Sequence, residues 1–336
     1  MAVPIWKDKA VSVGSASPTY FRIKCGGTVI YQGRLPDGGN VQINDICADW
    51  LAHARQTLSL STLNGYTHPA TFVVEKSTNG TSWSSVESVQ FWDDWSYDDT
   101  FNPTSSGMAF PINGHFDARQ PLCLAVTTDS SRSATLYFKN GTSASVTVAR
   151  SIAGFTDEDN SFIRSFKYGG GYPVSFYWNS YYSGSRTDID RIVFTGNGMT
   201  FKARCGEYAL YYKNLYGGWD FLLIEGSAIP GDSLTRWTNK VRYDNTKTAN
   251  RGTFNYVNEV TKTYTLHTGP LGSAAVARMP HLLTSPDVYL LEIGTQVLRP
   301  VVLNGDQHEY KTVRQNGQNF VDIAISVSVA QHMERR

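Results

Sequence analysis

The sequence has no excess of charge of either sign. Among its 336 residues, 30 are lysine or arginine and 29 are aspartate or glutamate. A protein that binds nucleic acid or an anionic membrane surface needs a basic field, because phosphate groups are attracted to it. The basic residues here are scattered, apart from Arg335 and Arg336. We therefore expect no nucleic-acid specificity.

Long apolar runs are also missing. The most persistently apolar stretches, DVYLLEIGTQVL and VDIAISVSVA, are shorter than the roughly 20 residues that a helix needs to cross a bilayer. The sequence therefore predicts no membrane span. The N-terminal segment MAVPIWKDKAVSVGSASP has no charged region followed by an apolar one, so we also expect no secretory signal.

Signatures of metal, redox and catalytic sites are absent from the sequence as well. The four cysteines, Cys25, Cys47, Cys123 and Cys205, form no CxxC pair, which excludes a zinc knuckle or a dithiol motif and predicts buried free thiols. The seven histidines form no HxH or HxxxH pair. The chain also has no G-x-S-x-G elbow and no phosphate-binding glycine loop. We expect no metal, no cofactor and no enzymatic activity.

The sequence is rich in residues that favour strands and turns. Charged residues make up 18% of the chain and aromatic residues 13%, whereas charged residues are usually about 25%. Six turn signals separate β-rich runs: Gly26-Gly27, Asn79-Gly80, Asn140-Gly141, Gly196 to Gly198, Gly217-Gly218 and Asn316-Gly317. Glycine and asparagine tolerate the positive φ of tight hairpin turns. The pattern predicts antiparallel β-structure throughout.

Periodicity refines this prediction. Alternating apolar residues near the C-terminus predict a strand with one face on a core, and they are Val321, Ile323, Ile325, Val327 and Val329. Helical spacing occurs in only two short stretches, Ile43–Ala54 and Gly272–Leu283, and Pro280 should kink or end the second. The predicted fold class is all-β, with two or more antiparallel β-sandwich-like domains and one or two short capping helices.

The domain limits are marked only by changes of composition. Serine, threonine and aspartate interrupt the β pattern at AVTTDSSRSA, Ala125–Ala134. We therefore predict an N-terminal β domain over 1–128 and a C-terminal β region over 129–336. A weaker sub-boundary falls near 151–205, and the second short helix falls near 272–284.

The most aromatic stretch is CGEYALYYKNLYGGWDFLLIEG, Cys205–Gly226. It reads as a hairpin whose turn holds Gly217 and Gly218. The aromatic candidates in it are Tyr208, Tyr211, Tyr212, Tyr216 and Trp219. Because aromatic residues fall on both faces of the hairpin, at least one face must be buried. We predict that Trp219 and at least two of the tyrosines pack in the C-terminal core or against another copy of the chain. The alternative is a sugar-stacking platform.

A second aromatic stretch, FWDDWSYDD, is acidic. Its carboxylates, Asp93, Asp94, Asp98 and Asp99, could supply the acid and the base of a glycosidase. The preferred interpretation is a solvated loop that Trp92, Trp95 and Tyr97 anchor to a sheet, and sugar binding is a further alternative. Trp92 and Trp95 are therefore structural or interface candidates.

Several segments together resemble a known family. They look like parts of a structural protein family encoded in tail-gene regions of bacteriophages and prophages of Bacteroides-like bacteria. The C-terminal segments are CGEYALYYKNLYGGWDFLLIEG, TYTLHTGPLGSAAVARMPHLLTSPDVYLLE, VLRPVVLNGDQHEYKT and a closing strand before HMERR, and the N-terminal segments are TVIYQGRLPDGGNVQINDICADWL and FWDDWSYDD. The resemblance covers most of the chain and rests on the order and spacing of tyrosine, tryptophan, glycine and proline. No catalytic signature is part of it.

The resemblance implies a non-enzymatic structural subunit of a tail or tail-like particle, in the tail tip, distal tail or connector ring. Such a subunit is made in the cytoplasm of the host bacterium and resides in the virion. Its partners would be copies of itself in a ring or lattice and other tail or connector proteins, joined through β-sheet edges and aromatic patches. The alternative is a carbohydrate-binding or carbohydrate-cleaving β protein, whose partner would be a surface glycan.

Overall fold

The computed structural model describes most of the chain. The described residues are 3–15, 19–55, 67–68, 70–92, 112–120, 122–124, 132–148, 167–168, 174–176, 188–194, 200–216, 219–240, 253–295, 297–305, 310–315, 318–330 and 333–335. Strands dominate these residues. Three helices occur among them, α1 (Asn44–Arg55), α2 (Ser273–Val276) and α3 (Met279–Leu283). The fold is all-β and sandwich-like, as predicted. No helix in these residues is long and apolar enough to cross a membrane.

The chain forms two compact units, and each combines separate stretches of sequence. Unit 1 consists of Met1–Phe110, Pro121–Lys202 and Lys213–Asp220. Unit 2 consists of Pro111–Gln120, Ala203–Tyr212 and Phe221–Arg336.

The first part of unit 1 contains eight strands. They are β1 (Val3–Pro4), β2 (Ala10–Gly14), β3 (Thr19–Cys25), β4 (Thr28–Leu35), β5 (Gly39–Gln42), β6 (Thr67–His68), β7 (Ala70–Ser77) and β8 (Ser84–Trp92). Five of them form a sheet in the order β1-β8-β7-β3-β4, and β2 pairs with β5. Neighbouring strands are antiparallel except for the parallel pair β1 and β8.

Helix α1 covers the core of this sheet. Ile43, just before the helix, and Cys47 and Leu51 within it are fully buried, because their spacing of four places them on one face. Phe72 of β7 packs edge-on against Trp50 and Phe91, with ring centroids 5.7 and 5.9 Å apart. The predicted helix at Ile43–Ala54 is confirmed.

Glycine turns join the hairpins where the sequence predicts them. Gly26 and Gly27 connect β3 to β4 with φ of 57° and 85°, the left-handed values that a two-residue hairpin turn requires. Gly80, between β7 and β8, has a φ of 73°. The turns at 196–198, 217–218 and 316–317 lie outside the described residues, although the strands on either side of each turn pair with one another.

The middle of the chain contributes eight short strands. They are β9 (His115–Phe116), β10 (Leu122–Leu124), β11 (Arg132–Phe138), β12 (Ser143–Val148), β13 (Lys167–Tyr168), β14 (Val174–Phe176), β15 (Ile189–Phe194) and β16 (Thr200–Ala203). Within unit 1, β12, β11, β15 and β16 are neighbours in one antiparallel sheet. Two further pairs are β10 with β14 and β6 with β13. On β11, Ala134, Leu136 and Phe138 are buried at every second position, so one face of this sheet carries a core.

Unit 2 contains most of a nine-stranded sheet. Its strands are β17 (Tyr208–Lys213), β18 (Trp219–Ile224), β19 (Ala228–Lys240), β20 (Thr253–His267), β21 (Val288–Glu292), β22 (Val297–Asn304), β23 (Tyr310–Gln315), β24 (Gln318–Val329) and β25 (Met333–Arg335). The main path is β18-β17-β21-β22-β24-β20-β19, while β23 pairs with β24 and β25 pairs with β20. The predicted alternation on β24 is confirmed, since Ile323, Ile325, Val327 and Val329 are all buried.

The two shortest helices cover the core of this sheet. Ala275 of α2 and Met279 and Leu282 of α3 are buried in the same cluster as Tyr212, Leu266 and the apolar residues of β24. Pro280 occupies the first turn of α3, so the helical stretch is broken into two helices at that point. This break is the effect that the sequence predicts for Pro280.

Candidate functional site

The structure describes only some of the candidate site residues. Tyr208 and Tyr216 are partly exposed, whereas Tyr211 and Tyr212 are buried with 7% and 0% exposure. The side chains of the other candidates lie outside the described residues. Of Trp92 and Trp219 only the strand backbone is described, and Gly217, Gly218, Trp95 and the aspartates Asp93, Asp94, Asp98 and Asp99 are outside altogether.

Strand β17 buries aromatic rings on both of its faces. Leu210 and Tyr212 point into the apolar core of unit 2, opposite Leu290 and Val288 of β21. Tyr211 points to the other face, where its ring lies 6.0 Å from that of Phe221 and its hydroxyl lies 3.5 Å from the Gln120 amide nitrogen. A sugar-stacking platform needs exposed rings, so these two tyrosines are scaffold.

The cysteines differ from one another in exposure. Cys47 is buried and Cys25 is half-buried, and burial raises the pKa of both thiols. Cys205 is exposed, and the prediction of a buried thiol is wrong for this residue because it lies in the connection between β16 and β17 rather than in a strand. The side chain of Cys123 lies outside the described residues.

Asp117 is the centre of a buried polar cluster in unit 2. The Arg119 guanidinium donates to both carboxylate oxygens at 2.9 Å, and the backbone N–H groups of Arg119 and Gly206 donate at 2.9 and 3.2 Å. Burial by itself would raise the pKa of Asp117, but these hydrogen bonds and the Arg119 charge outweigh burial and hold the pKa below its usual value. The cluster therefore ties the 112–120 segment to the start of β17.

Replacing Asp117 with asparagine should destabilise the protein by about 1.5–3 kcal/mol at neutral pH, because charged hydrogen bonds are lost in a buried site. A lowered pKa means that the stabilisation is present above the unfolded-state pKa and is lost as the pH falls through the lower folded-state pKa. Urea denaturation between pH 7 and pH 2 should thus show the difference between wild type and Asp117→Asn shrinking in acid. A difference that stays constant with pH would contradict this account.

Two histidines form pairs with carboxylates. His115 is hydrogen-bonded to Glu225, which also accepts from the Asn113 amide at 3.3 Å. His267 lies 3.0 Å from Asp322, whose carboxylate also accepts from the backbone N–H of Gly269 at 3.0 Å. A catalytic dyad would need a nucleophile on the histidine. Among the described residues no hydroxyl or thiol is hydrogen-bonded to either imidazole. His267 and Asp322 connect the neighbouring strands β20 and β24, and His115 of β9 contacts Glu225 just after β18.

A metal centre is not found in the described part of the chain either. The described residues contain no group of three or more histidine, cysteine, aspartate or glutamate residues placed to hold a metal ion. The described residues thus give no local support to a catalytic or metal-dependent activity.

The outer strand of the nine-stranded sheet is the most distinctive surface of unit 2. Strand β19 has 13 residues and pairs with β20 on one side, at the end of the strand order. Every residue from Ile229 to Thr238 is exposed. Large apolar side chains lie among them, with Ile229 57%, Leu234 52% and Trp237 44% exposed. Strands of about 5–6 residues are typical, and an edge presents unpaired N–H and C=O groups.

This edge is not among the residues that the sequence analysis selects. The segment AIPGDSLTRWTNK contains Pro230 and Gly231, which are typical of turns, and its polar residues conceal the strand pattern. The signal that could have found it is the run of threonines and valines in the partner strand β20, TFNYVNEVTKTYTLH, because a strand of that length needs a partner of similar length.

Comparison of the chain with protein-family models, with curated proteins and with solved structures found no match in any of the three.

Proposed function

We propose that the chain is a non-enzymatic structural subunit of a bacteriophage tail or tail-like particle, in the tail tip, the distal tail or a connector ring. It is made in the cytoplasm of the host bacterium and resides in the virion. The observation that carries the proposal is the long, open edge of β19 with its exposed apolar side chains. The resemblance in the sequence supplies the class of particle.

The physical argument concerns how sheet edges behave. A protein that acts alone protects its edges with short strands, bulges or covering loops, because an open edge pairs with other chains. Strand β19 has one irregularity, between Trp237 and Thr238, but it is long and exposed, and it carries Leu234 and Trp237 on opposite faces. A subunit of a ring or lattice needs such an edge, since each contact is repeated around the assembly. The partners are copies of the chain and neighbouring tail or connector proteins.

Glycan binding has weaker support. A glycan-binding surface on the hairpin of β17 and β18 would need exposed aromatic rings, but Tyr211 and Tyr212 are buried there. Tyr208 is partly exposed, but its ring packs against that of Tyr264 at 5.7 Å and a 55° tilt, so the two rings are not coplanar. Stacking on a sugar needs coplanar exposed rings.

The purified chain should form closed rings or a lattice. Light scattering after size-exclusion chromatography should give masses that are multiples of 37.3 kDa, and negative-stain electron microscopy should show repeating particles. Glycan-array binding and glycan hydrolysis assays on the same sample should be negative. A chain that stays monomeric at its highest soluble concentration and binds or cleaves a glycan would overturn the proposal.

A further inference from the structure

The sequence of β19 is complementary to itself in the antiparallel direction. Asp232 and Arg236 are equally distant from Leu234, on either side of it. The same holds for Gly231 and Trp237, and for Ser233 and Thr235. If two copies of β19 pair about a two-fold axis at Leu234, opposite charges therefore face each other and Leu234 faces its own copy.

The pairing with β20 shows which side chains share a face. Asp232, Leu234 and Arg236 lie opposite Lys262, Val260 and Asn258. These residues alternate with Gly231 and Trp237, which lie opposite Thr263 and Val257 on the other face. The irregularity near Trp237 skips a residue of β20, since Trp237 pairs with Val257 and Thr238 with Asn255. Strand β19 therefore keeps its alternation through Trp237.

The charges on this strand are available for a partner. Asp232 and Arg236 are exposed, and neither has an ion-pair partner among the described residues. In the symmetric pairing, Asp232 would lie between its own Lys262 and the partner's Arg236, so the signs alternate across the joined sheet. Opposite charges at directly facing positions stabilise a sheet, and like charges destabilise it.

The opposite face gives a second complementary contact. Trp237, which is 44% exposed, would lie across from the partner's Gly231. Gly231 has no side chain to cover the strand, and a Cβ there would be 3.1 Å from the Thr263 hydroxyl. An aromatic ring facing a strand glycine covers the exposed backbone, which is a known way to stabilise such positions.

Pro230 indicates which backbone groups of β19 face outward. Proline in a strand is found where its nitrogen faces away from the ladder, because it has no N–H to donate. Backbone groups at alternate positions point the same way. The N–H and C=O groups of Asp232, Leu234 and Arg236 thus point away from β20, where a second strand can bind them.

Other registers lose these contacts. An axis at Asp232 or at Arg236 places like charges opposite each other, and an axis one residue from Leu234 places each charge opposite an uncharged residue. An axis at Arg236 would also pair Asp232 with Lys240, so among these registers only the axis at Leu234 pairs the acid with a base without placing like charges opposite each other.

From this complementarity we infer that two copies of the chain join β19 to β19 about a two-fold axis at Leu234, which merges two nine-stranded sheets into one. The inference rests on the proposed function in that it specifies one of the contacts through which the subunit assembles. It commits to a second copy as the occupant of this edge, on the grounds of charge and shape complementarity.

Charge reversal tests the register. Asp232→Arg places two arginines opposite each other at both symmetric positions, and Arg236→Asp places two aspartates there. Each single variant should weaken self-association by about tenfold or more, since like charges at facing positions are unfavourable. The double variant Asp232→Arg/Arg236→Asp should restore association close to the wild-type level. Sedimentation velocity at a series of concentrations measures the association, and circular dichroism checks that the exposed substitutions leave the fold intact.

A disulfide at the axis tests the symmetry independently. Facing residues of an antiparallel pair have Cα atoms about 4.5–5.5 Å apart, within the range that a disulfide bridges. In a Cys205→Ser background, Leu234→Cys should therefore form a covalent dimer under mild oxidation. Ile229→Cys is the matched control, because Ile229 is similarly exposed on the same strand but would face the partner's Asn239. Equal cross-linking of both variants, or none with Leu234→Cys, would overturn the inference.

These outcomes separate this inference from the proposed function. If the single charge reversals and the double variant all assemble like wild type, the two-fold register at Leu234 is wrong, while the assembly of the wild-type chain still supports the structural role. If the wild-type chain is monomeric and acts on a glycan, both are wrong.

Discussion

Replacing Tyr212 with alanine should lower the free energy of unfolding by about 3–5 kcal/mol, which is a large part of the stability of one domain. The side chain is fully buried and contributes to the cluster that joins β17, β18, β20, β24 and the two short helices. Removal of the ring leaves a cavity that the surrounding strands cannot fill, because each is held in register by its neighbours. Urea denaturation followed by tryptophan fluorescence measures the change.

Two variants control for the position. Tyr212→Phe keeps the ring and most of its packing, so it should lose much less stability than the alanine variant. Tyr216→Ala removes a partly exposed ring beyond the end of the same strand and should change stability by about 1 kcal/mol or less. If Tyr212→Ala folded as stably as wild type and instead lost affinity for a glycan, the scaffold interpretation of this hairpin would be wrong.

Replacing Gly226 with alanine should lower stability by about 3 kcal/mol. A Cβ at Gly226 would lie 2.5 Å from the carbonyl oxygen of His267, 2.8 Å from its Cβ and 3.0 Å from the backbone nitrogen of Gly269. These are mostly backbone atoms, so relief requires the end of β20 to move. That movement would break the hydrogen bond from the Gly226 N–H to the His267 carbonyl at 3.1 Å and the bond from the His267 N–H to the Ser227 carbonyl at 2.9 Å.

Gly294 supplies the matched control for this prediction. A Cβ at Gly294 meets no atom within 4 Å, and its backbone is not in the left-handed region. Gly294→Ala should therefore change stability by no more than about 0.5 kcal/mol. Thermal unfolding of both variants by calorimetry makes the comparison, and an equal effect in the two would show that the close approach at Gly226 does not limit the fold.

Local features of this fold were predictable from the sequence. Glycine turns connect β3 to β4, β7 to β8, and β11 to β12. The sequence predicts their positions because each turn needs a positive φ, which few residues other than glycine adopt. The core face of β24 follows from its period of two, and the break before α3 follows from Pro280. Each of these outcomes depends on residues within a few positions of one another.

The edge strand was not predictable in the same way. Residues 228–240 carry Pro230 and Gly231 and few strand-forming residues, so local propensity disfavours a strand there. The strand exists because β20 offers it a continuous partner over 13 residue pairs with one irregularity. Pairing energy from a neighbouring strand outweighs weak propensity, and only the fold brings that neighbour into place.

By itself the sequence determined the all-β class, the hairpin turns, the position of α1 and the buried face of β24, because turn geometry and side-chain alternation act over short distances. The tertiary structure alone decided which tyrosines are buried, since Tyr212 is enclosed by β21 and Tyr211 is covered by Phe221 and Gln120. It also decided that each unit combines separate stretches of chain and that, among the described strands, β19 pairs with β20 alone. Contacts between residues far apart in sequence depend on the register of strands, and register is set by the packing of the whole sheet.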